Sequence, residues 1–150
     1  MKDNTKLIEA VLKEANGWSY GTAPCETADL LGKTFHTVLQ LDNSHICFSN
    51  DTDTYIYYHA QDCCEHVYIE SVVGELADLE NSPLTMAELN TTTGESTDYD
   101  DSSTWSFYKF ATIKGYVDIR WCGSSNGYYS ETVDMLYKPT AELLSEGAKA

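Results

Sequence analysis

Residues 116–121 alternate without a break: Val117, Ile119 and Trp121 take one parity, and Tyr116, Asp118 and Arg120 take the other. A period of two places successive side chains on opposite faces of an extended strand. One apolar face and one polar face is the pattern of an antiparallel sheet packed on one side only. Lys114-Gly115 is a tight-turn signal ahead of this strand, and Gly123, Ser124, Ser125, Asn126 and Gly127 form a loop behind it. Residues 104–113 and 128–136 therefore read as its meander neighbours.

The same reading extends upstream. Asn4 or Thr5 caps a helix whose stripe is Leu7, Ile8, Val11 and Leu12, and Gly17 stops it. Residues 27–31 form one further turn, and the period changes to strand-like at Lys33. Residues 45–48 and 54–59 pair as a hairpin across a turn at 50–53, and residues 64–73 form another strand. Residues 75–80 make a helical turn, residues 83–89 a strand, and residues 139–145 a short tail helix. Residues 90–103, rich in Thr, Ser, Asp and Gly, read as an acidic loop. The expected architecture is α+β: mainly an antiparallel sheet or a partly open barrel, with an N-terminal helix. One domain of 150 residues is expected, with a helical extension at 1–30 and a β-rich core at 31–137.

Charge narrows the partners. The chain has 24 acids and 9 bases, for a net −15. Residues 34–108 hold fourteen of those acids and neither Lys nor Arg. A field of one sign repels phosphate backbones and anionic lipid, so direct nucleic-acid binding and membrane binding are not expected. Basic protein surfaces and cations are favoured. No apolar run approaches the ~20 residues of a membrane helix, and no signal-peptide pattern opens the chain. The five cysteines, Cys25, Cys47, Cys63, Cys64 and Cys122, then read as reduced thiols in a cytosol.

The densest polar segment is residues 59–66. His59, Cys63, Cys64 and His66 are residue types that bind zinc. Against that, strand alternation puts Cys63 and Glu65 on one face and Cys64 and His66 on the other. A Cys63 or Cys64 nucleophile with His59, His66, His36 or His45 is disfavoured too, because surrounding acid raises a thiol pKa. Asp51-Thr52-Asp53-Thr54 opens like a calcium loop, but Tyr55 and Ile56 stand where that loop needs an oxygen ligand and a glycine. No phosphate-binding, dinucleotide, serine-hydrolase or zinc-protease motif is present. No catalytic residue and no cofactor is assigned, with zinc kept as an alternative.

Two groups remain as candidate binding residues. Asp62, Glu65 and Glu70 belong to the acidic stretch. Tyr116, Arg120, Tyr128 and Tyr129 form an aromatic group around the only arginine of the chain, which is the natural anion anchor.

Long segments carry a resemblance: YHAQDCCEHVYIE at 58–70, WSFYKFATIKG at 105–115, and IRWCGSSNGYYSE at 119–131. These, with LGKT at 31–34 and VGELADL at 73–79, resemble a group of small phage- and prophage-encoded proteins of unknown function, over about residues 30–133. The resemblance implies a setting rather than an activity: a phage accessory protein in the bacterial host cytoplasm. The function expected from charge and setting is non-enzymatic binding of a basic host protein in host takeover or anti-defence, in the manner of a DNA mimic. A small-molecule-sequestering module and a small metal-binding protein are the alternatives.

Overall fold

Strand-forming periodicity produces strands where the apolar parity is strong. The computed structural model describes residues 4–16, 24–61, 64–94, 102–125 and 130–148. Its strands are β1 (Thr37–Gln40), β2 (Ile46–Ser49), β3 (Asp53–Tyr58), β4 (His66–Val73), β5 (Met86–Gly94), β6 (Ser102–Thr112), β7 (Gly115–Ser125) and β8 (Asp134–Pro139). Helix α1 (Thr5–Asn16) opens the fold and α2 (Thr140–Ala148) closes it, with 3-10 turns at Thr27–Leu30 and Leu76–Leu79.

The strands form two antiparallel sheets, ordered β1-β2-β3-β8 and β4-β7-β6-β5. This is the expected α+β class, mainly antiparallel sheet with an N-terminal helix. It is realised as two open sheets rather than a closed barrel. The burial patterns explain the layering. In β3, Tyr55 and Tyr57 enter the core between the sheets, while Ile56 faces the opposite way and is equally buried. The first sheet is therefore covered on both sides. Its far side packs on α1 and α2 through Val11, Leu143, Cys47 and Leu136. In β6 and β7 burial follows one parity, Tyr108 and Phe110, and Val117, Ile119 and Trp121, with Cys122 of the other parity buried near the end of β7. On that other parity Tyr116 and Arg120 are exposed.

Ring contacts cross between the sheets: Phe48 to Phe110 at 4.9 Å and Tyr57 to Tyr108 at 5.0 Å between centroids. Full burial of one such side chain contributes roughly 1.5–3 kcal/mol, and ring geometry adds about 0.5–1.5 kcal/mol per pair. Burial thus holds the sheets together, and ring packing sets how they face.

Two expectations are corrected. Residues 90–94 and 102–103 are not loop: β5 runs to Gly94 and pairs residue by residue with β6 back to Ser103. Thr91, Thr92 and Thr93 are β-branched and find Ser106, Trp105 and Thr104 opposite them, so pairing overrides a loop-like composition. The last strand begins at Asp134, later than its apolar pattern suggests, and it pairs with β3 of the first sheet rather than with β7 as its meander neighbour. The preceding segment is drawn across the end of the second sheet. There Gly123 leaves room for the Glu131 backbone, whose carbonyl would sit 2.5 Å from any Cβ at that position.

Candidate functional site

The segment 59–66 is pulled apart by the fold. His59 follows β3, His66 opens β4, and these strands belong to different sheets. The His59 side chain is 3% exposed; its Nδ1 donates to the Thr132 carbonyl at 2.7 Å, and its Nε2 lies 3.0 Å from Glu65 Oε2. Glu65 has 0% side-chain exposure and accepts from Gln61 Nε2 through Oε1 at 3.0 Å. Because Nδ1 faces a carbonyl it must carry a proton. Nε2 is then the ring nitrogen that faces the Glu65 carboxylate. The group ties the end of β3 to the start of β4 and to the segment just before β8.

His66 points the other way. It is exposed and stacks on Tyr68 at 4.6 Å between ring centroids. Cys64 is exposed and disulfide-bonded, so the expectation of free thiols throughout fails there, and its sulfur is not offered as a thiolate ligand or nucleophile. Cys25, Cys47 and Cys122 are free. Cys63 and Asp62 lie outside the described residues. Among the described residues, no three His, Cys, Asp or Glu side chains group as metal ligands. His36 pairs with Asp51 at 3.2 Å and His45 with Asp42 at 2.9 Å, at opposite ends of β2.

Several of the acids are taken up by hydrogen bonds. Asp42 receives the Ser44 N–H, Asp53 receives Lys33 and Tyr137, and Glu80 receives the Val38 N–H. With Glu65, four of the fourteen acids in residues 34–108 hold the fold itself.

The second candidate group lies on the outer face of the second sheet. Register sets its rows. Asp118 of β7 stands between Val73 of β4 and Lys109 of β6, with Glu88 of β5 beyond. Arg120 stands between Ser71 and Phe107, and Cys122 between Tyr68 and Trp105. Glu70 sits at an irregularity in β4 between Ile69 and Ser71. From there its Oε2 accepts Arg120 Nε at 2.6 Å. The Arg120 guanidinium also lies 5.5 Å from the centroid of the Trp105 ring, within cation–π range. The hydrogen bonds from Arg120 and then Ser71 hold the Glu70 carboxyl below its usual range. Arg120 is thus fixed from two sides, yet its side chain is 45% exposed.

Beside it a groove of about 290 Å³ is lined by Ser71, Val73, Phe107, Lys109, Asp118 and Arg120. Val73 is 64% exposed at its rim. Tyr116 shares the parity of Arg120 and is 44% exposed, near the other end of β7. Tyr128 and Tyr129 lie outside the described residues. The fold thus brings Glu70 to Arg120, keeps Tyr116 on the same face, and buries Glu65 elsewhere.

A family model described as a domain of unknown function, DUF7448, matches residues 28–135. The chain belongs to the DUF7448 family. No curated protein and no solved structure matches it. The DUF7448 region contains β1 to β7 and the start of β8, hence the whole groove and the His59–Glu65 tie. Helices α1 and α2 lie outside it. No helix among the described residues is long and apolar enough to cross a membrane.

Sequence reasoning singled out Arg120 and Glu70 but passed over Trp105, Phe107, Lys109 and Val73. The signal for three of them was present. Alternation in β6 with Ser106, Tyr108 and Phe110 inward puts Trp105, Phe107 and Lys109 outward.

Proposed function

We propose that this DUF7448 protein is a non-enzymatic binding module whose working surface is the open outer face of β4-β7-β6-β5, and whose partner is a basic protein. The observation that carries the reading is Arg120, held between Glu70 and Trp105 beside an open groove. Trp, Tyr and Arg are the residue types that dominate binding energy at protein interfaces, and a pre-set side chain loses less entropy on docking. The net charge of −15 favours a basic partner and a fast, salt-sensitive encounter. The resemblance to phage and prophage proteins supports a host protein as that partner, with host takeover or anti-defence as the purpose.

The test is capture from bacterial lysate on immobilised protein, with R120E and W105A beside the natural chain. The expected result is a basic protein, retained at low salt, released at high salt and lost with either variant. Equal capture by all three proteins, or a partner that is not basic, overturns the reading. The groove favours a second reading, the sequestering of a small molecule. Its volume sits near the low end of the ~300–1,000 Å³ typical of small-ligand pockets. Native mass spectrometry of protein taken from infected cells separates the two: a retained ligand supports the second, and a bare chain supports the first.

A further inference from the structure

We propose that the outer edge of β5, from Glu88 to Thr93, is a second docking surface, one that takes an extended, base-carrying segment of a partner protein as an added strand. Two open sheets have four edge strands: β1, β8, β4 and β5. An edge strand turns unpaired N–H and C=O groups outward, and proteins guard such edges with Pro, Lys, bulges, short strands or covering chain.

Three of the four edges are guarded. At β1, the Glu80 carboxylate accepts the Val38 N–H at 2.9 Å, and Thr34 and Phe35 just ahead of the strand bridge to Pro83 and Glu80. At β4, the register breaks between Ile69 and Ser71, and the Ile69 N–H is taken by the Asn43 carbonyl at 2.6 Å. Strand β8 is six residues long and ends on Lys138 and Pro139.

Along residues 88–93, strand β5 shows none of these devices among the described residues. It runs nine residues in unbroken register with β6 and contains no Pro, Lys or Arg. Cover lies at its start: the turn Thr27–Leu30 rests against β5, and just before the strand Gly32 N–H donates to the Leu84 carbonyl and Leu84 N–H to the Lys33 carbonyl. Residues 88–93 are all exposed, and among the described residues no backbone group pairs with this side. Leu89 is 45% exposed along it.

Charge selects the occupant. Strand β5 lies within the base-free residues 34–108 and carries Glu88. A second copy would set one base-free edge against another between chains of −15 each. A Lys- or Arg-bearing strand with an apolar residue beside Leu89 meets no such repulsion. Main-chain hydrogen bonds would supply affinity, and the side chains beside Glu88 and Leu89 would supply selectivity. The edge uses backbone groups, whereas the groove uses Arg120 and Trp105, so the two surfaces fail or hold independently.

The test is amide hydrogen exchange of the whole chain with two synthetic heptapeptides, one alternating Lys with Val and Thr, the other with Glu in place of Lys. The expected result is that the basic peptide slows exchange at alternate amides between residues 88 and 93 at least tenfold, and the acidic peptide does not. E88K should weaken that protection, and R120E should leave it intact. T91P and T92P form a pair, because alternation turns only one of those N–H groups outward. The outward one should lose peptide protection while keeping the β5–β6 pairing. Equal protection by both peptides, protection by neither, or slow exchange in the free chain with a dimer mass by light scattering would each overturn the proposal.

Discussion

His59 Nε2 and Glu65 Oε2 lie 3.0 Å apart with their side chains 3% and 0% exposed. They lie at the two ends of the connector between β3 and β4, strands of different sheets, so the contact is a clasp across the seam of the sandwich. A buried pair that loses one member leaves an uncompensated polar group, at a cost of about 3–5 kcal/mol. E65A should therefore lower the urea midpoint by an amount worth ~3–5 kcal/mol. E65Q should recover most of the loss, because its amide can donate to the ring nitrogen while still accepting from Gln61. An E65Q as unstable as E65A would mean that the ionised pair, not the hydrogen-bond geometry, holds the seam.

This clasp also marks where sequence reading stopped. His59 and His66 are close in the chain and invite a shared ion, yet β3 and β4 carry them into separate sheets. Glu65 was read as surface acid because nothing local shows that it meets a histidine six residues earlier in a buried seam. Strand β7 was legible because Val117, Ile119 and Trp121 face one core and nothing else. The distal half of β5 was not, since its pairing with β6, rather than its own apolarity, makes it a strand. Arg120 stood out as the sole arginine, but its fixation by Trp105 depends on cross-strand register, which one strand cannot display.

The second prediction separates binding from stability on the open face. Glu70 and Arg120 are both substantially exposed, and exposed ion pairs contribute little to folding. E70Q and R120E should leave the thermal midpoint close to that of the natural chain and reduce partner capture. R120K should reduce capture as well, since an ammonium cannot reproduce the planar guanidinium held by Glu70 and Trp105. A large fall in the midpoint for R120K would reassign the residue to structural support.

The third prediction concerns acid. Burial alone would raise the Asp53 pKa, but hydrogen bonds from Tyr137 and Lys33 outweigh it and hold the carboxyl below its usual value. The folded state therefore binds this proton less readily than the unfolded chain. The stabilisation is present above the unfolded carboxylate pKa, ~4, and is lost as pH falls through the lower folded value. Unfolding free energy measured from pH 6 downward should fall less steeply for D53N than for the natural chain below pH ~4. Parallel curves would remove Asp53 from the acid response.

The fourth prediction is the alkaline counterpart. The hydrogen bond to Asp53 first, and burial second, push the Tyr137 hydroxyl up to about 12. A raised folded pKa means stability that is full below the unfolded value, ~10, and lost as pH rises towards about 12. Y137F should be less stable than the natural chain at pH 8. The gap should close above pH ~10, where the unfolded tyrosine ionises. A gap that stays constant with pH would mean that the hydroxyl stabilises the fold without a change in its ionisation.

The last prediction uses the cysteines as reporters of the layers. Cys47 is wholly buried between the first sheet and the helices, and burial pushes its thiol up to about 12. Reaction with a thiol reagent needs thiolate and access, and Cys47 has neither at pH 8. Cys25 is only partly buried, so it should be labelled first in the native protein. Cys64 is disulfide-bonded and should be labelled only after a reductant is added. Peptide mapping after timed alkylation reads all three at once. Cys47 should appear only when denaturant opens the helical layer, and its labelling at the rate of Cys25 under native conditions would show that α1 and α2 do not close that face.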